Sequence, residues 1–341
     1  MFLIAPSNSH LCRIIMQPIR GILTPNITPV DAQGRVDHET LSGYVDWLIE
    51  HGVDGLYPNG STGEFVRFTP GERQEIVRTV IQAARGRVPV LAGAAEANAD
   101  ETIAACNAYG EMGVAAVAIV APFYYRLTPD GVYAYFKKIA DAVRVNVTLY
   151  NIPLFASPID VATVRRLALE CPRVVGIKDS SGDVSHMLRM IAAVRNERPE
   201  FSFLTGWDTA LVPMLMCGAD GGTNATSGVV PELTKAIYET CQAGDIDAAL
   251  RLQHALIPLF DLMIGTPEFP EGFRAGVRAR GWDLGPGRQP MTANQRDGSA
   301  AAQSQLAAMI PAAAGTQQTV GLPGIDLDQI VRRVLTQLQA S

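Results

Sequence analysis

One lysine stands apart from the others in this chain. Four lysines occur among the 341 residues, and only Lys178 closes an apolar run, the sequence VVGI at 174–177. A lysine at the end of a buried strand has an apolar stem and an amine at the mouth of a cavity. Desolvation lowers the pKa of an amine, which increases the neutral fraction that can attack a carbonyl and form a Schiff base. A buried structural lysine paired with an acid is the alternative, so the surrounding residues must decide.

Hydroxyl groups follow other apolar runs of the chain. A Gly-rich turn, GSTGE at 60–64, contains Ser61 and Thr62, and another run ends at Tyr150 in the sequence YNIP. Positioned hydroxyls can relay protons, and the amides of a Gly-rich turn can hold a carboxylate. Taken singly, Tyr150 could equally be a core tyrosine, and the turn could be a tight connection before a helix. Further candidates after apolar runs are Tyr124, Asp208 and Thr223.

These side chains need a frame that brings the strand ends together. Short β-rich runs recur through the first 230 residues, with amphipathic helical segments between them. Eight such units in about 200–250 residues predict an α/β fold, a (β/α)8 TIM barrel, whose strand ends converge on one mouth. A doubly wound sheet is the competitor, but no GxGxxG fingerprint follows the first strand. The predicted strands are 20–24, 55–58, 88–93, 116–121, 145–150, 174–178, 201–205 and 221–224.

The predicted domain plan adds helices after the barrel. Residues 1–16 are expected to be disordered or a mis-assigned start, since regular patterning begins after Met16. The barrel covers 17–243, and a C-terminal extension at 244–311 holds three helices, predicted at 245–265, 268–280 and 292–310. A linker at 312–324 leads to an amphipathic terminal helix at 325–341.

Composition excludes several classes of function. Apolar residues make up 48% of the chain, and 28 basic and 34 acidic residues give a net charge of −6 without a basic stripe. Nucleic acid and membrane are therefore not expected as partners. The five histidines have no ligand spacing, so no metal site is predicted. The cysteines show no disulfide framework and the sequence shows no signal-peptide pattern, so a cytoplasmic location is expected.

Three motifs in order carry a family resemblance. GSTGE at 60–64, YNIP at 150–153 and GIKDSSGD at 176–183 resemble the dihydrodipicolinate synthase/N-acetylneuraminate lyase superfamily of pyruvate-handling class I aldolases and lyases. The resemblance runs from about residue 21 to residue 310.

The resemblance implies a role for each motif residue. Lys178 would form the Schiff base with the keto carbon, and Tyr150 would be the acid/base beside it. The proton relay would use Ser61 and a tyrosine from a neighbouring subunit, Tyr124. Thr62 and the turn amides would hold the pyruvate carboxylate. No cofactor is implied beyond the covalent imine, and the expected assembly is a homo-oligomer, a tetramer.

Departures from the family bear on the substrate. The lysine-pathway synthase has an arginine where this chain has Phe155, and a ring cannot replace a bidentate guanidinium. Sialic-acid lyases have a glutamate where this chain has Thr209. Asp208, Thr223 and Phe155 are predicted to contact substrate. The hypothesis is reversible aldol cleavage of a 2-keto acid into pyruvate and a small or moderately apolar aldehyde. A 4-hydroxy-tetrahydrodipicolinate synthase, a keto-acid dehydratase or a hydratase-aldolase would use the same imine.

The tail indicates a partner. Residues 325–339 place apolar side chains on one helical face, and a helix this short needs a partner for that face. A linker followed by a short amphipathic helix resembles the encapsulation peptides that load enzymes into bacterial microcompartments. Docking on a shell protein or on co-cargo is the favoured interpretation, and packing on its own barrel or oligomer is the alternative.

Two other functions compete with a Schiff-base enzyme. A non-catalytic barrel could sense a 2-keto acid and use the tail for interactions, although a sensor has little use for a proton relay. A metal-dependent aldolase of similar fold would need clustered ligands and would be sensitive to EDTA.

Overall fold

The structure is a computed structural model and describes residues 18–310 and 327–340. The predicted start segment 1–16 and linker 312–324 lie outside the described residues. Eight strands alternate with helices, and every strand is buried along its whole length. The strands are β1 (Gly21–Thr24), β2 (Gly55–Leu56), β3 (Leu91–Gly93), β4 (Ala116–Val120), β5 (Val147–Asn151), β6 (Val174–Asp179), β7 (Ser202–Thr205) and β8 (Gly221–Gly222).

The strands form one parallel barrel. Their order is β2-β1-β8-β7-β6-β5-β4-β3, and a parallel bridge between Leu56 and Val90 joins the two outer strands. The (β/α)8 barrel predicted from the sequence is confirmed. The surrounding helices are α1 (His38–Glu50), α2 (Pro70–Ala84), α3 (Ala99–Glu111), α4 (Pro129–Ala142), α5 (Val161–Glu170), α6 (Val184–Val194), α7 (Leu211–Met216) and α8 (Pro231–Gln242).

Several predicted strand bounds were wrong by a few residues. β2 ends at Leu56, because Pro58 lacks an N–H and Asn59 adopts a left-handed conformation with φ of 57°. β3 begins only at Leu91, after Pro89. β5 and β6 each extend one residue further than predicted, which places Asn151 and Asp179 inside the sheet.

The barrel helices begin at residues whose side chains favour helix starts. Asp37 caps α1 by accepting from the amide of Thr40, and Thr69 and Glu72 form a reciprocal capping box at α2. Proline at the first helical position opens α2, α4 and α8. Each cap fixes the residue at which the loop after a strand ends and the next helix begins.

Three helices follow the barrel, as predicted: α9 (Ile246–Gly265), α10 (Glu271–Ala279) and α11 (Ala293–Met309). The predicted start of the second at 268 was wrong, because Glu268 has φ of 64°, which lies outside the helical region. None of the helices among the described residues is long and apolar enough to cross a bilayer.

The amphipathic tail is helical and lies on the C-terminal extension. α12 (Leu327–Ala340) packs against α9 and α11, and Ile330 and Val334 are fully buried. This is the packing on its own chain that the sequence left as the alternative to docking on a shell.

Candidate active site

Strand register brings Lys178 and Tyr150 together. The two residues are direct partners across β5 and β6, and both are buried, at 6% and 4% exposure. The Nζ atom of Lys178 lies 4.2 Å from the ring centroid of Tyr150. A cationic nitrogen over an aromatic face is stabilised by the ring quadrupole. The lysine therefore ends among aromatic rings, and within residues 18–310 and 327–340 it forms no ion pair with a carboxylate.

A second ring, Tyr57, completes this environment and was missed from the sequence. It follows β2 directly, and its centroid lies 5.0 Å from Nζ of Lys178. Burial raises its pKa well above the ordinary value, and nearby Tyr150 raises it further, so the phenol is neutral. Its place at a strand end was the signal that could have identified it.

Gly206 makes room for the lysine stem. A Cβ atom at this position would lie 2.6 Å from Cε of Lys178 and closer still to Oγ of Ser180. Both distances are below any real van der Waals contact. The glycine after β7 therefore has a steric function at the site, which sequence spacing does not reveal.

The GSTGE turn is held from both ends. Asn59, before it, donates its side-chain amide to the carbonyl of Arg73 at 3.0 Å. Glu64, at its end, is buried and left-handed, and its carboxylate binds Arg67 at 2.5 Å and also Arg274 of α10. Ser61 and Thr62 lie between these anchors and border the cavity at the barrel mouth. Glu64 has a structural function here.

Asp208 is tied to the loop after β8. Its Oδ1 atom accepts hydrogen bonds from the amide of Thr226 at 2.7 Å and from the hydroxyl of Thr226 at 2.6 Å. It does not cap α7, whose N-cap is Ala210. Burial raises the pKa of this carboxyl, and Lys178 opposes that shift more weakly. Thr223 is likewise buried, at the end of β8.

A buried network fixes the ends of β5 and β6. Asp179 is fully buried and accepts hydrogen bonds from the side-chain amide of Asn151 at 2.7 Å and the hydroxyl of Ser181 at 2.9 Å. The Nδ1 atom of His186 lies 3.4 Å from Oδ2 of Asp179, the oxygen that also accepts from Ser181. The bond to this carboxylate raises the pKa of His186. The residues after Tyr150 and Lys178 in their motifs thus hold the two strands in register.

Seven of the eight predicted site residues border one cavity of about 310 Å³. Tyr124 does not: it is 85% exposed and packs edge-on against Tyr125, with ring centroids 4.9 Å apart. Aromatic residues of the C-terminal extension, such as Phe260 and Phe269, line the cavity and were missed, because no local pattern directs them inward. The seven are Ser61, Thr62, Tyr150, Phe155, Lys178, Asp208 and Thr223.

A closed parallel barrel with a buried lysine at the carboxyl end of its sixth strand, beside a tyrosine of the fifth, is compatible with a class I aldolase or lyase. The chain belongs to the dihydrodipicolinate synthetase family, whose model matches residues 18–309. Members of this family are pyruvate-dependent lyases, and this chain is an enzyme of that class.

Relatives and solved structures similar to this chain support this family assignment. The chain is 34% identical over 248 residues to the probable 2-dehydro-3-deoxy-D-pentonate aldolase of Escherichia coli, covering 72% of this chain and 81% of that protein. It is 32% identical to the 4-hydroxy-tetrahydrodipicolinate synthase of Bartonella bacilliformis, covering 77% and 89%. Among solved structures, the E. coli prophage protein YagE in complex with pyruvate matches with a TM-score of 0.78 and 28% identity, over 84% of this chain and 98% of that one.

Proposed function

We propose that the chain catalyses reversible aldol cleavage of a 2-keto acid into pyruvate and an aldehyde through an imine on Lys178. The observation that carries this is the amine of Lys178 in a cavity beside Tyr150, 4.2 Å from its ring centroid. No carboxylate among the described residues pairs with this amine. Burying an unpaired amine only for structure is costly, so a reaction is the better reason for its position.

Condensation proceeds in five steps in this proposal. The neutral amine of Lys178 adds to the keto carbon of pyruvate, and the carbinolamine takes a proton from solvent and loses water, which leaves a protonated imine. A proton passes from the methyl carbon to solvent, and the resulting enamine attacks the aldehyde carbon, so that a C–C bond forms and the aldehyde oxygen becomes negative. Tyr150 donates its proton to that oxygen, and hydrolysis of the protonated imine by water frees the lysine and returns a proton to Tyr150. Cleavage runs the same steps in reverse.

The other residues position the keto acid in this proposal. Ser61 takes part in the proton relay, and Thr62 with the turn amides holds the carboxylate, as amide-rich turns do for anions. Thr223 and Asp208 lie in the wall of the same cavity and are placed to contact substrate hydroxyls. Because Oδ1 of Asp208 is engaged by Thr226, a substrate hydroxyl would bind its Oδ2 atom.

Tyr124 joins the site only if another subunit supplies it. Its exposure in the single chain fits a residue that reaches into a neighbour, which requires at least a dimer, and the family resemblance extends the proposal to a homotetramer. A Tyr124→Phe variant should lose turnover while its oligomer stays intact by analytical ultracentrifugation. Turnover equal to the parent would show that the relay does not use this hydroxyl.

The decisive test is borohydride reduction in the presence of pyruvate, followed by peptide mass mapping. The expected adduct lies on Lys178, and Lys178→Ala should abolish both the adduct and cleavage. Lys137→Ala is the matched control, because Lys137 is a surface residue paired with Asp141. An adduct elsewhere, or none with any 2-keto acid, would overturn the proposal. An adduct without turnover of any keto acid would favour a sensor.

Product analysis separates the reactions that share the imine. Synthase activity would require capture of a carboxylate-bearing semialdehyde, and the residue at the relevant position is Phe155, 48% exposed at the cavity mouth. Dehydratase activity would release water without breaking a C–C bond. Free aldehyde among the products from a 4-hydroxy-2-keto acid supports the aldolase.

The cargo hypothesis for residues 325–339 is a separate proposal with a structural condition. Docking on a shell protein would require α12 to leave α9 and α11, which exposes Ile330 and Val334. Each aliphatic side chain contributes about 1.5–3 kcal/mol when buried, so the shell groove must replace that burial. Deleting residues 315–341 should preserve kinetics and abolish co-assembly with shell protein. Loss of activity or of the oligomer would instead assign α12 to its own fold.

A further inference from the structure

One arginine near the start of α2 contacts the chain on both sides of the GSTGE turn. On the side before the turn, the backbone carbonyl of Arg73 accepts a hydrogen bond from the side-chain amide of Asn59 at 3.0 Å. On the side after it, the Nη1 atom of Arg73 donates to the carbonyls of Phe65 at 2.9 Å and Phe68 at 2.7 Å. Arg73 is only 6% exposed, so these bonds are largely shielded from water. One residue therefore ties together the two ends of the turn.

Glu96, in the loop after β3, balances the charge of this arginine. The Nη2 atom of Arg73 donates to both carboxylate oxygens of Glu96, at 2.6 Å and 2.5 Å, and the two side chains are 7% and 10% exposed. The backbone amide of Glu96 in turn donates to the hydroxyl of Thr102 in α3 at 3.2 Å. Removing one partner of such a pair leaves the other charge buried and uncompensated, which is costly. Glu96 therefore fixes where the guanidinium of Arg73 can lie.

The residue before the turn is also fixed against β3 and α3. Asn59 has φ of 57°, a left-handed conformation that a non-glycine residue keeps only where its surroundings hold it. Its side-chain amide also donates to the hydroxyl of Tyr109 in α3 at 3.3 Å. Its carbonyl oxygen lies so close to β3 that a Cβ atom at Gly93 would be 2.0 Å away. A displacement of Asn59 would therefore move the backbone amides of the turn that follows it.

We infer that Arg73, anchored by Glu96, is a positioning residue for the carboxylate of the keto acid. It holds Ser61, Thr62 and the turn amides where they bind that carboxylate. The inference rests on the proposed function, in which the turn holds the carboxylate while Lys178 forms the imine. Neither Arg73 nor Glu96 borders the lysine cavity, so both act through the turn. A binding group that is held in place before the substrate arrives adds more affinity than one that must be ordered on binding.

The test measures borohydride trapping of pyruvate as a function of pyruvate concentration. Arg73→Met removes the donors but keeps an apolar stem in the same space, and we expect the half-saturating pyruvate concentration to rise at least about 10-fold. The limiting trapping rate at saturating pyruvate should stay within about twofold, because Arg73 contributes to binding and not to the chemical step. Arg78→Met is the matched control, because Arg78 also lies on α2 but pairs with Glu75 at the surface. It should leave both values unchanged.

Acetone distinguishes a positioning function from damage to the site. It offers the same keto carbon as pyruvate without a carboxylate, so its trapping on Lys178 depends on the amine and not on the turn. Arg73→Met should therefore trap acetone within about twofold of the parent rate. A similar loss with acetone and with pyruvate would place the defect at the lysine. A lower Tm with unchanged half-saturation by pyruvate would assign the ion pair to stability alone, and either result overturns the inference.

Two milder variants keep the test decisive if Arg73→Met does not fold. Glu96→Gln preserves the shape of the side chain and removes the counter-charge, and Arg73→Lys preserves the charge but loses the planar set of donors. Each should raise the half-saturating pyruvate concentration by about 3–10-fold while acetone trapping is unchanged. Parental half-saturation in both variants would overturn the inference and leave the imine standing. Failure of the parent chain to trap pyruvate would instead refute the proposed function.

Discussion

Replacing Gly206 by alanine tests whether the room around the lysine stem sets the reaction. The added methyl group would lie 2.6 Å from Cε of Lys178 and would also overlap Oγ of Ser180. To reach an ordinary contact of 3.4 Å, Cε must retreat by roughly 0.8 Å. A displacement of about 1 Å at a reacting group costs on the order of 100-fold in rate. Overpacking of this kind also destabilises a fold by about 1–3 kcal/mol.

The assay pairs trapping with stability. We expect Gly206→Ala to slow borohydride trapping of pyruvate on Lys178 by about 100-fold and to lower the free energy of unfolding in urea by about 1–3 kcal/mol. Adding Ser180→Ala removes the clash with Oγ but leaves the clash with Cε. The double variant should therefore recover part of the lost stability without recovering trapping. Parental trapping by Gly206→Ala would refute the reasoning, and recovery of both properties in the double variant would place the effect on Ser180.

Three other variants test the site and its supports. Tyr150→Phe should lower kcat for aldol cleavage by about 10²–10⁴-fold with pyruvate trapping much less affected, and an unchanged kcat would exclude Tyr150 as the acid. Because its bond to Asp179 raises the folded-state pKa of His186, that bond stabilises the fold at low pH and is lost as pH rises through the folded pKa. His186→Gln should therefore lower Tm by about 2 °C at pH 5.5 and by less at pH 8.5. A larger loss of Tm at pH 8.5 than at pH 5.5 would contradict this assignment. Arg274→Met should lower the free energy of unfolding by about 3–5 kcal/mol, because it removes one partner of the buried Glu64 carboxylate. A loss under about 1 kcal/mol in urea titration would show that the ion pair is dispensable.

The barrel and most of its site could be predicted because both depend on local patterns. Apolar runs of four to six residues that alternate with capped helices predict strands. Parallel strands bring their carboxyl ends to one end of the barrel. Lys178 and Tyr150 each end such a run, so their proximity follows from β5 and β6 being neighbours. The short β2 and β8 were harder, because Pro58 and the glycines of β8 shorten the ladder by backbone effects that a hydrophobic pattern does not carry.

What could not be predicted depends on contacts between segments distant in sequence. Phe269 reaches the cavity because the start of α10 folds over the barrel mouth, and nothing near it in sequence directs it there. Gly206 has its steric function only once Lys178 is in place. The helical period of the tail predicts an apolar face on α12. It does not predict whether that face packs on α9 or on another protein, because tertiary packing decides this.

The bond between Arg274 and Glu64 has a consequence for how such chains can be recombined. An appended helix here supplies the counter-charge for a barrel loop that is proposed to bind substrate. A chain truncated after residue 243 would leave the buried carboxylate of Glu64 with Arg67 as its remaining ion-pair partner among the described residues, and we expect that loss to lower the stability of the protein and to disturb the adjacent GSTGE turn. Chimaeras that exchange substrate preference among relatives should therefore transplant this turn and α10 as one unit.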